Sequence, residues 1–209
     1  MSPGGGTVRS RLIVAALAGS VVLSGLAACS SSPIAGPTSS SDPPPTTSAT
    51  PKSEIANPLD TSKYATDTCS GLTNAQVTPY IGAVEKTDPG PNMPGSVCTF
   101  LPSDITKPVV GSGLSNIATP TQESLYESLA QFPWRQKINA IAGYPAVDSS
   151  TEESPQKGYC NTNVAVNDTH SVLVVFQDPQ ASDPYYAKPC TAAEALAANL
   201  IQNLQSGGA

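Results

Sequence analysis

The residues with the clearest chemistry in this 209-residue chain are its five cysteines. Thiols can be alkylated, oxidised in pairs, or deprotonated to ligate a metal. Their positions sort them into two groups. Cys29 stands alone, directly after an apolar run that ends in Leu26-Ala27-Ala28. A thiol placed there suits a thioether to a lipid. Cys69, Cys98, Cys160 and Cys190 follow, an even number. None of these has C-x-x-C spacing, and the only histidine is His170. That combination speaks against a zinc or redox centre and for disulfides. Four cysteines allow three pairings. Cys69–Cys98 with Cys160–Cys190 is favoured, because each bridge closes a short loop of similar size. Loop entropy makes each worth roughly 3.6 kcal/mol.

Other reactive arrangements are missing from the sequence. A serine hydrolase needs a nucleophile elbow and a histidine base. There is no G-x-S-x-G, and Gly111-Ser112-Gly113 lacks that spacing. Glu152-Glu153 is an acidic pair, but Ser154-Pro155 marks its surroundings as a polar loop, where a solvated charge is expected. No nucleotide-binding glycine pattern is present. No catalytic residue, metal or cofactor is therefore assigned. Trp134, Tyr144, Tyr159, Tyr185 and Tyr186 are five of the eleven aromatics, and such residues with few charges can line a small-molecule or glycan pocket. The competing expectation is core packing for Trp134, Tyr144 and Tyr159 and loop cover for Tyr185 and Tyr186.

The N-terminal segment positions Cys29. Arg9 and Arg11 precede an apolar stretch from Leu12 to Ala28, the layout of an export signal. With the cysteine at its end, this resembles the lipobox of bacterial lipoproteins. The resemblance implies diacylglyceryl transfer to the Cys29 sulfur, cleavage after Ala28, and tethering at the extracytoplasmic face of the cell membrane. Removing Arg9 and Arg11 from the ten Lys and Arg leaves eight against sixteen Asp and Glu, a formal charge near −8. Such a chain is not suited to nucleic acid, nor to an anionic lipid surface by charge alone.

Three segments are expected: a signal peptide over 1–28, a lipidated cysteine and linker over 29–58, and one domain over 59–209. Nineteen of the residues from Ser30 to Pro58 are Ser, Thr or Pro, too little apolar surface to offset the entropy of ordering. Extended, this spacer would reach on the order of 80–90 Å. Its hydroxyls also offer O-glycosylation sites.

Capping boxes start three helices in the domain, at Thr73 with Gln76, Thr119 with Gln122, and Thr191 with Glu194. The last carries Ala193, Leu196, Ala197, Leu200, Ile201 and Leu204 on one stripe. Strands are expected over Val97–Leu101, within Val109–Ile117, as one bent strand over Ile138–Ile141 and Tyr144–Val147, and over Tyr159–Val166 and Val172–Gln177. The last two read as an antiparallel hairpin about Asn167-Asp168-Thr169-His170. The fold class is thus α+β: an antiparallel sheet of about five strands, with about three helices mainly on one face and two disulfides.

These landmarks also resemble a family. Cys69 is followed by Gly71-Leu72-Thr73 and a short helix; Cys98 lies beside Phe100. Gly143-Tyr144-Pro145-Ala146-Val147, the Cys160 hairpin, and Asp183-Pro184 before Cys190 and an Ala-rich helix complete the set. The chain resembles the actinobacterial lipoproteins of domain-of-unknown-function family 3558. That family more often has Trp where Phe100 stands. The resemblance implies no reaction. The expected role is a non-enzymatic, membrane-anchored binding or accessory module with a small-molecule, glycan or envelope-protein partner. The alternatives are an envelope hydrolase and a sensor or structural partner of a membrane protein.

Overall fold

The computed structural model describes residues 52–92 and 95–207. The expected signal peptide, Cys29 and the linker as far as residue 51 lie outside these residues. The fold is a seven-stranded antiparallel sheet in the order β1-β2-β3-β7-β6-β5-β4. Its strands are β1 (Val84–Asn92), β2 (Gly95–Pro102), β3 (Val109–Ser115), β4 (Trp134–Lys137), β5 (Ala146–Ser150), β6 (Tyr159–Ala165) and β7 (Ser171–Gln177). The α-helices are α1 (Ser62–Thr66), α2 (Asn74–Ile81), α3 (Gln122–Ser128) and α4 (Pro189–Gln205).

The expected antiparallel sheet is present, with seven strands where about five were read. The two extra strands are the edges. β1 contains Pro89 and Pro91, which cannot donate to a ladder but are tolerated where only β2 pairs with the strand. β4 is four residues long and polar after Trp134. The bent strand read over 138–147 is instead a tight turn, with Ile141 and Tyr144 exchanging backbone hydrogen bonds and Ala142 at φ 50°. Strand β5 begins only at Ala146.

Side-chain alternation fixes the two faces of the sheet. Cys160, Val164, Val172, Val174 and Phe176 lie on one face, all fully buried, and α4 packs over them. All six residues of the expected α4 stripe are buried. The helix starts at Pro189, two residues before the expected Thr191 cap, because proline suits a first turn. The α2 capping box is as read, and Pro79 sits within the helix. The third box is shifted: Thr121 and Ser124 cap α3, not Thr119 and Gln122.

The helices gather mainly on one face as expected, α1 and α2 lying beside α4, and α3 is the exception. Arg135 and Lys137 lie 4.5 and 5.0 Å from the Tyr126 ring centroid. They alternate along β4 with Gln136, the register partner of Asp148, whose carboxyl points to the α4 side. α3 therefore covers the opposite face, over β4 and β5. The gap it leaves over β3, β7 and β6 becomes a cleft.

The ordered structure also begins earlier than the expected boundary. Ile55 is buried in the core. Glu54 N–H donates to Pro120 O at 2.8 Å, and Leu59 N–H donates to Val166 O at 2.9 Å. One apolar side chain and these backbone partners suffice to hold residues that look like linker by composition. Both favoured disulfides are formed, Cys69–Cys98 and Cys160–Cys190, with Cα separations of 4.9 and 5.1 Å.

Candidate functional site

The cleft has a volume of about 210 Å³. Its floor is the uncovered sheet face. Tyr159, Asn161 and Asn163 of β6 project from it, with Leu173 and Val175 of β7 and Gly113 of β3. Leu129 and Phe132, in the segment that leaves α3, form one wall. Gly113 keeps the floor low, since a Cβ there would lie 2.7 Å from the Ser96 carbonyl oxygen. No lining residue carries a charge.

Polar atoms on this floor are under-used. Asn161 is 3% exposed, and its carboxamide oxygen has no hydrogen-bond partner. Asn163, also buried, donates from Nδ2 to Ser149 Oγ at 3.4 Å, a long bond. Burial pushes the Tyr159 phenol above its ordinary value, with Asn161 beside it opposing. Such a surface, apolar with a few uncommitted carboxamides, can hold a neutral molecule that donates a hydrogen bond. A buried acceptor left unpaired costs about 1–3 kcal/mol, so a donor arriving there recovers that amount.

The five aromatics singled out by sequence do not converge. Tyr159 alone of them lines the cleft. Trp134 is half-buried on edge strand β4. Tyr144 is buried and donates its hydroxyl to Asn57 O at 2.8 Å, tying down the N-terminal segment. Tyr185 packs between Tyr80 and Phe176, at centroid distances of 5.5 and 5.8 Å. Tyr186 accepts from Gly158 N–H through its carbonyl and lies elsewhere. Core and loop packing thus account for four of them.

On the α4 side a second cluster stands. Asp148, Cys160 and Cys190 place a carboxylate oxygen and two sulfurs within 4.8 Å of one another. Because the sulfurs are bonded to each other, only the carboxylate could bind a metal. Thr162 Oγ1 donates to Asp148 Oδ1 at 2.7 Å. Burial, with Glu194 of α4 adding to it, pushes the Asp148 carboxyl up to about 8. Sequence reading missed Asn161, Asn163 and Asp148. The available signal was that Asn and Asp are depleted in strands, so two Asn at i and i+2 beside an alternating apolar row already imply a polar job for that face.

A family model described as protein of unknown function (DUF3558) matches residues 24–203. The chain belongs to this family. Comparison with curated proteins and with solved structures gave no match. The cleft and the Asp148 cluster thus lie within the region that defines the DUF3558 chain.

Proposed function

We propose that this DUF3558 protein is a lipid-anchored, extracytoplasmic accessory module that holds a neutral saccharide unit in the cleft over β3, β7 and β6. The carrying observation is Asn161: almost fully buried, lining the cleft, with a carboxamide oxygen that no protein group satisfies. The oxygen is enclosed in the unliganded fold, and a sugar hydroxyl supplies the missing donor once the Asn161 side chain turns toward the cleft. The apolar face of a pyranose ring complements Phe132, Leu173 and Val175. The uncharged lining disfavours phosphate or carboxylate ligands, which would be desolvated without a counter-charge. The volume is below the roughly 300–1,000 Å³ of drug-sized pockets, which suits one ring. The lipobox-like segment ending at Cys29 and the two disulfides, which belong to oxidising compartments, support the location.

The test uses the full chain in detergent and saturation-transfer NMR with neutral methyl hexosides, glucuronate and hexanol as probes. Neutral hexosides are expected to show ring-proton contact, and the other two little. Asn161→Leu should weaken that contact at least tenfold while raising stability by about 1 kcal/mol, because it deletes an unsatisfied buried group. Absence of hexoside contact, or equal contact in Asn161→Leu, refutes the reading.

A further inference from the structure

The two disulfides have different surroundings. Asp148 stands with its carboxylate within 4.8 Å of both sulfurs of Cys160–Cys190. Among the described residues, no His, Asp or Glu forms such a group with Cys69–Cys98. Cys190 is also the second residue of α4, a helix of 17 residues. The unpaired N–H groups of a first turn favour a thiolate there. Lys188 at the N-cap adds to this, and Glu194 one turn on opposes it. In each bridge one cysteine is half-buried, Cys190 and Cys69, and its partner fully buried, Cys160 and Cys98, so it is the carboxylate and the helix start that set Cys160–Cys190 apart. A half-exposed cysteine, an enclosed one and a proton carrier meet there from three separate elements. C-x-x-C spacing is unnecessary when strand, strand and helix supply the three groups.

We propose that Cys160–Cys190 is an exchangeable disulfide, reduced by a dithiol partner, with Asp148 as the proton donor to Cys160. One thiolate of the dithiol, its proton already lost to solvent, attacks Cys190 Sγ. The Sγ–Sγ bond breaks, and Cys160 leaves with the electron pair and takes the Asp148 proton. The second thiol of the partner, deprotonated to solvent, then attacks the mixed disulfide at the partner's own sulfur. Cys190 leaves as a thiolate at the α4 N-terminus, and Asp148 regains a proton from solvent. The partner dithiol is oxidised to a disulfide, and the protein disulfide is reduced by the same two electrons.

The environment of Asp148 fits the role. Thr162 occupies one carboxylate oxygen, and the proton is shared with Glu194 of α4, which stands within hydrogen-bond reach of the carboxyl. Pushed up to about 8 by burial, the carboxyl keeps its proton at neutral pH and can give it to the departing Cys160 thiolate, whose charge is costly in the enclosed core. Glu194 is the charged group facing Asp148 from α4. On the sheet, its register partners are Thr162 and Gln136, neither ionisable.

The experiment treats the full chain at pH 7 with dithiothreitol, quenches by alkylation, and follows each bridge separately by peptide mass spectrometry. Cys160–Cys190 should open at a rate proportional to dithiothreitol, more than tenfold faster than Cys69–Cys98, with near-UV circular dichroism retained. Asp148→Asn should slow that opening at least tenfold and leave Cys69–Cys98 unchanged. Should this variant fail to fold, the wild-type rate is measured from pH 6 to 9 and divided by the dithiothreitol thiolate concentration. It should fall through pH 8 as Asp148 loses its proton. Opening of both bridges together, opening only in step with global unfolding, an unchanged Asp148→Asn rate, or a flat normalised profile would each overturn the proposal.

Discussion

At the scale of single residues, Asp148 makes the stability of the fold depend on pH. Asp148 is 2% exposed, and burial pushes its carboxyl up to about 8 in the fold, against about 3.9 in an unfolded chain. The folded state therefore binds the proton more tightly. This contribution is complete below about pH 4 and is lost as pH rises to about 8, where it levels off. The denaturant midpoint should accordingly fall between pH 5 and 8, with a slope of at most about 1.4 kcal/mol per pH unit from this group. Asp148→Asn should flatten most of that slope and gain on wild type as pH rises. Asp178, also raised by burial, leaves a residual slope of the same sign. A midpoint that instead rises over this window in wild type would show Asp148 ionised in the fold. The Asp148 carboxyl was not legible in the sequence, where an acid followed by Ser149 and Ser150 reads as solvated. Its burial arises because Ala146, Asp148 and Ser150 alternate beneath a helix that arrives about 40 residues later.

At the scale of elements, α4 is held by its apolar stripe and by one covalent tie to β6. Cys160→Ser with Cys190→Ser should cost about 2–5 kcal/mol, the usual loss for a native bridge. Cys69–Cys98 should form unscrambled in that variant, since its cysteines lie in a separate chain segment. Thermal melting and peptide mapping check the two halves of the statement; a Cys69–Cys98 bridge that no longer forms would show the two to be interdependent. Elements with strong periodicity were readable: β6, β7 and α4 stand close to where alternation and the helical stripe put them. Helix α1 and strands β1 and β4 were not. β1 and β4 are the sheet edges, where one-sided pairing tolerates Pro89, Pro91, Glu85 and Lys86, and α1 is five residues long with Tyr64 alone buried, too short to show a stripe. The α3 cap moved by two residues because Ser124 can replace Glu or Gln in reciprocating the Thr121 bond.

At the scale of the whole molecule, no described helix is long and apolar enough to cross a membrane. Attachment in the proposed reading then rests on Cys29. Cys29→Ala should leave the chain unprocessed or release it, which detergent-phase partitioning compares directly. Equal partitioning of wild type and variant into detergent, with the signal demonstrably removed, would exclude a lipid on this sulfur. The sheet as an antiparallel α+β layer was legible because patterning within strands is local. The cleft was not, because it depends on α3 crossing to the other face, and nothing in a helix's own stripe says which side of a sheet it will meet.

The first described residues are fastened one point at a time: Glu54 to Pro120, Asn57 to Tyr144, and Leu59 to Val166 and Asn167. A pull on the domain from its N-terminal side meets these bonds in series and opens them like a zip, not as a sheared ladder. The chain from Lys52 to Tyr64 can pay out about 40 Å when extended, until the fully buried Tyr64 side chain holds it in the core. Behind that anchor the covalent link of Cys69 to Cys98 passes the load into β2, which β1 and β3 grip from both sides. The segment is thus a mechanical fuse: it yields under drag while the cleft and both disulfides keep their geometry.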